Sequence, residues 1–175
     1  TAAAFPLTGT INQYTLKTVA FNIDVTVGAA GTYTSLTSAG GLFAAINSGG
    51  LTANINAVIL DATLTEDGAN PLHTIDYGCT GGPYTLTIKP AAGVAVNITG
   101  SSSSALIKLN GGDHVIFDGL NTGGSSLSIT NTNTGTSSAV IWLASVSTTD
   151  GAADNTIRNC TITGNSGTTT LAGII

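Results

Sequence analysis

The chain has 175 residues, one domain's worth, and only 7% of them are charged, where an ordinary globular chain carries about 25%. Four basic against nine acidic residues give a net charge of -5, which excludes nucleic acid and anionic membrane surfaces as partners, since both need clustered Lys and Arg. No run of 18 apolar residues exists to span a bilayer. The start at Thr1 suits a mature, processed protein or an excised segment, and the low charge, the two cysteines and a surface of Ser, Thr, Asn and Gly lead us to expect an exported, extracellular protein.

Residues 1–20, TAAAFPLTGTINQYTLKTVA, carry the β-formers Ile11, Tyr14, Leu16 and Val19 and align with no later part of the chain. Two readings stay open. The segment lies along its own domain, or it adds as a strand to the free sheet edge of a second copy, a head-to-tail contact that builds a fibre.

Next, FNIDVTV alternates Phe21, Ile23, Val25 and Val27 with Asn22, Asp24 and Thr26, the pattern of a half-buried strand. The run SAGGLFAAINSGG predicts a short helix near 39–48, with Ser38 as N-cap, Leu42, Phe43 and Ile46 as its apolar face, and Gly49 as the stop. Its expected role is to plug the first turn of the β-domain that occupies residues 21–175.

From Ala57 onward, short β-type runs recur between Gly, Ser, Asn and Asp turns: AVILDATL, YTLTIKP, AVNITG, ALIKLNG, HVIFDGL, SLSITN, AVIWLA and NTIRNCTI. One inward residue per run yields three columns. The first holds Ile59, Ile88, Phe117 and, after an insertion, Ile157. The second holds Leu64, Ile98, Ile129 and Ile162, and the third Ile75, Ile107, Ile141 and Ile174. A shared spacing of about thirty residues predicts a parallel β-solenoid, whose coils bury their inward faces only by stacking. An antiparallel sandwich or barrel suits the composition but predicts no common spacing.

The stretches TLTIKPAAG, VIFDGLNTGGSSLSITNTNTG and NTIRNCTITGN resemble the right-handed parallel β-helix (pectate-lyase-like) repeats of large secreted bacterial surface and adhesin-type proteins. The resemblance covers the chain from about Gly31. It implies an all-β right-handed parallel β-helix with about three strands per coil, and a structural or adhesive role. The implied partners are other copies of the chain joined head to tail or further coils of a longer chain, with surface glycans as an additional class.

The chain stops at LAGII, inside the third strand of a coil, with no second plug. An open coil presents unpaired backbone groups and apolar side chains, so the final rung is either a truncation or a junction, and for a junction Leu171, Ile174 and Ile175 join Ile11, Tyr14 and Leu16 as the expected assembly interface.

The same fold hosts polysaccharide lyases and hydrolases, and these are the rival function. Hydrolysis needs two carboxylates roughly 5 to 9.5 Å apart, yet no column holds two acids, and Asp118 aligns with Lys89 and Asn159. Asp61, Glu66, Asp67 and Asp76 share a coil and could touch calcium, but Asp is a turn residue in its own right, and that reading is preferred. His73 and His114 fall at strand entrances with no metal-site pattern. We therefore expect no enzyme, no cofactor and no metal.

Trp142 alternates with Ile141 and Leu143, as a single outward sugar-stacking ring or one packed on a loop, and a lone aromatic makes no binding platform. Cys79 and Cys160 lie three coils apart, about 14 Å at strand spacing, too far for a disulfide, so both are expected as buried thiols. In the second strand column Thr63, Thr65, Thr99, Thr130, Thr161 and Thr163 form a polar ladder with Asn97 and Ser128. Such a face resembles ice-binding solenoids, a second rival function. The preferred reading is a ladder that stabilises the coil by hydrogen bonds between rungs.

Overall fold

The computed structural model describes residues 24–78, 81–165 and 170–175. Residues 1–20, with Ile11, Tyr14 and Leu16, lie outside these, as do Phe21, Ile23 and Cys79.

Thirteen described strands and one helix follow in order: β1 (Asp24–Val27), α1 (Leu42–Gly49), β2 (Ile55–Ile59), β3 (Thr63–Glu66), β4 (Leu72–His73), β5 (Leu86–Pro90), β6 (Ala95–Gly100), β7 (Ala105–Asn110), β8 (Val115–Asp118), β9 (Ser126–Asn131), β10 (Ser138–Ala144), β11 (Thr156–Arg158), β12 (Cys160–Gly164) and β13 (Thr170–Ile174). They form three parallel sheets. The first sheet runs β1-β2-β5-β8-β11, the second β3-β6-β9-β12 and the third β4-β7-β10-β13. From β2 onward every third strand pairs with its equivalent one coil later, and β1 pairs with β2, so the chain is a parallel β-solenoid of about four turns.

The core is one cluster in which the inward positions of all three sheets meet. Period-two burial along β5, with Leu86 and Ile88 inside, and along β9, with Leu127 and Ile129 inside, shows why β-branched and leucine side chains build these strands. Each such side chain contributes roughly 1.5–3 kcal/mol of burial.

The second column stands as expected, with Leu64 opposite Ile98, Ile98 opposite Ile129 and Ile129 opposite Ile162. The first is corrected at its first rung: Ala57, not Ile59, faces Ile88, while Ile59 faces Pro90. Both Ala57 and Ile59 are fully buried, so a shift of two residues keeps the same face inside and leaves the hydrophobic pattern unchanged. The third column is corrected likewise. Ile107, Ile141 and Ile174 are in register, but the first rung is β4, where Leu72 faces Leu109, and Ile75 is buried beyond that strand.

The plug exists but starts later than its sequence suggests. Gly41, not Ser38, is the N-cap of α1 and makes no side-chain cap, and Gly50 rather than Gly49 closes the helix, with φ 71° and its N–H bonded to Ile46 O. Ser38 instead donates its backbone N–H to Ser35 Oγ at 2.8 Å. Leu42, Phe43 and Ile46 are buried as expected, and α1 packs beside β4, the first strand of its sheet.

Candidate functional site

Four groups of side chains stand out: a buried carboxylate under the plug, an ion pair at a corner, the threonine ladder and the surroundings of Trp142.

Glu66 occupies the inward side of β3, two residues after Leu64, and is buried. Its Oε2 accepts from Ser35 Oγ at 2.8 Å, Thr37 N at 2.7 Å and Thr37 Oγ1 at 2.6 Å, and its Oε1 accepts from Leu36 N at 2.6 Å. These donors offset the cost of burying the charge. The segment leading to α1 is thereby tied to the first coil. Glu66 thus leaves the group of turn carboxylates, whereas its neighbours belong to it: Asp61 Oδ2 accepts from Ala29 N, Asp67 Oδ1 from Ala69 N and Asp76 Oδ1 from Gly78 N. Among the described residues no three His, Cys, Asp or Glu side chains are placed to share a metal ion. The period-two pattern of TLTE was the available signal for Glu66.

At the corner after β8 the register differs from expectation, because Asp118 faces Arg158 rather than Asn159. Arg158 Nε donates to Asp118 Oδ2 at 2.9 Å and Nη2 forms an ion pair with the same oxygen at 2.7 Å, while Oδ1 accepts from Asn159 Nδ2 and Leu120 N, each at 2.9 Å. Burial alone would raise the Asp118 pKa, but these hydrogen bonds and the Arg158 charge outweigh it and hold the carboxyl below the usual range. A carboxylate so engaged is occupied in structure. The bond to Leu120 N also steadies a backbone with φ 62° at Leu120 and 50° at Asn121.

Cys160, on the next strand, is a free thiol, half-buried rather than fully enclosed. Burial pushes its pKa up, and the Asp118 charge adds to this against two opposing backbone hydrogen bonds. His73 ends β4, its Nδ1 3.4 Å from Asn110 Nδ2, and His114 precedes β8 with Nε2 3.9 Å from Asp154 Oδ2.

In the ladder, Thr65, Thr99, Thr130 and Thr163 fall in one register column, and Thr63, Asn97, Ser128 and Thr161 in another. Its centre is internally bonded: Asn97 Oδ1 accepts from Ser128 Oγ at 3.0 Å and from Thr130 Oγ1 at 3.2 Å. Behind it, buried Asn131 accepts from Ser102 N and Asn133 N and donates to Ser102 O and Ala139 O.

Trp142 faces Lys108 across β10 and β7, and the Lys108 ammonium stands 4.2 Å from the indole centroid, a cation–π contact. Beside the ring lies a cavity of about 220 Å³ lined by Ser103, Ser104, Ser137, Ala139, Trp142 and Ile175. In the sequence Trp142 stands alone because Ser103, Ser104 and Ile175 reach it from the neighbouring coils.

Of the expected assembly residues, Ile174 and Ile175 are 47% and 48% exposed. Leu171 lies within β13, and its side chain is outside the description. Among the described residues β11, β12 and β13 each pair on one side only. Comparison with protein-family patterns, curated proteins and solved structures gives no match for the chain.

Proposed function

We propose that this chain is a structural and adhesive module of an extracellular, cell-surface protein of the pectate-lyase-like repeat type. It serves as a stiff length of coil that accepts a further coil. The observation that carries this reading is the edge formed by β11, β12 and β13, each of which pairs on one side only among the described residues, beside the exposed Ile174 and Ile175. A coil of the same chain and a coil of a second copy would use that edge in the same way. The non-ionic flank supports the reading too, since the hydroxyls of Ser128 and Thr130 serve the scaffold rather than solvent.

The enzyme alternative draws little support from carboxylates committed to backbone caps, and the ice-binding alternative is weakened by the bonding at Asn97. Negative-stain imaging and sedimentation of the purified chain at neutral pH test the proposal. Linear head-to-tail oligomers, lost in Ile174→Lys, are expected. Monodisperse particles at every concentration would overturn addition of a second copy.

A further inference from the structure

We propose that the outer face of the third sheet holds a subsite for one neutral sugar ring of a glycan, built on Trp142. Three successive coils supply it: Ser103 and Ser104 precede β7, Ser137 and Ala139 flank the start of β10, and Ile175 follows β13. A pyranose has an apolar C–H face and a rim of hydroxyls. The cavity offers the same division, with indole, Ala139 and Ile175 as apolar wall and three serines as polar rim.

Two observations bear on this place. The hydroxyls of Ser103, Ser104 and Ser137 are exposed and have no hydrogen-bond partner among the described residues, so they are open to a ligand. The indole is also held in place, because Lys108 rests over it. A ring ordered before binding loses less freedom when a ligand stacks on it. Lys108 is thus a positioning residue, and its charge is directed into the indole. The volume of about 220 Å³ is below that of drug-sized sites, so the cavity takes a single ring while the rest of the glycan runs along the surface.

Trp142 is the only tryptophan of the chain, so its fluorescence reports on this place alone. Cellotetraose, mannotetraose and galactotetraose are titrated as neutral probes, with tetragalacturonate as the acidic counterpart. A saturable change in emission with at least one neutral probe is expected, weakened roughly three- to tenfold by Ser137→Ala, the worth of one hydrogen bond. Calorimetry on Trp142→Ala, with its far-ultraviolet spectrum as the fold control, should show a loss of about tenfold or more. If that variant misfolds, Ser103→Ala and Ser137→Ala carry the test. No response to any neutral probe, a response unchanged in both serine variants, or a response to tetragalacturonate alone would overturn the subsite. Coil addition is judged separately by Ile174→Lys, so either proposal can fail without the other.

Discussion

Arg158 and Asp118, 40 residues apart in the chain, are held side by side across β11 and β8 by a hydrogen bond from Nε and an ion-pair contact from Nη2, both to one carboxylate oxygen. Because the folded carboxyl titrates below its usual range, its contribution is present above the unfolded value of about 3.9 and lost as pH falls through the folded one. Urea midpoints followed by circular dichroism should stay level from about pH 7 to 5 and drop below about pH 4. Asp118→Asn should flatten that drop. Arg158 is 58% exposed, so Arg158→Ala should cost no more than about 1 kcal/mol.

Glu66 ties the plug to the first coil, and its removal leaves Leu36 N, Thr37 N and two hydroxyls without their acceptor. Glu66→Ala should destabilise by about 3 kcal/mol or more, and Glu66→Gln by about 1–3 kcal/mol, since an amide brings donors towards donors. Hydrogen exchange should reveal a local effect, with protection lost around Leu36–Phe43 before the later coils respond.

Gly100 is required by space. A Cβ there would meet Glu66 O at 1.9 Å and Leu106 Cδ1 at 2.7 Å, so Gly100→Ala forces backbone apart in the first two coils. Gly123 is the contrast, with nothing within 4 Å and a φ of 59°. Thermal melts should show Gly123→Ala costing about 1 kcal/mol, the penalty for a left-handed residue, and Gly100→Ala clearly more.

The two polar layers should separate in a mutational comparison. Asn131→Ala removes four hydrogen bonds at a buried position and should cost about 2–4 kcal/mol. Thr130→Val removes a single bond to Asn97 on the outer face and should cost less than about 1 kcal/mol. Equal losses in chemical denaturation would contradict the distinction.

The parts of this fold legible in the sequence were those written by the inward aliphatic pattern. Leu64, Ile98, Ile129 and Ile162 were placed correctly because each is the large residue between two polar ones. Ala57 was missed since a bulkier Ile59 shares its face, and alternation cannot distinguish registers two residues apart. Leu72 was missed in favour of Ile75 because β4 has only two residues, too few to show a period. Around Trp142 the difficulty was topological. Ser103 and Ser137 become neighbours only when coils stack, and serines in a Ser-rich chain carry no local mark of that meeting.

The in-register stacking of coils is tested most directly by paired cysteines in a background where Cys79 and Cys160 are serine. Thr99 and Thr130 are partners on adjacent rungs, about 4.8 Å apart, within the Cα range of a disulfide. Thr65 and Thr130 are separated by the rung of Thr99. Oxidation should link Thr99→Cys with Thr130→Cys quantitatively without loss of the β spectrum, and should leave Thr65→Cys with Thr130→Cys open. A bridge in the second pair, or none in the first, would contradict the stacking on which the coil rests.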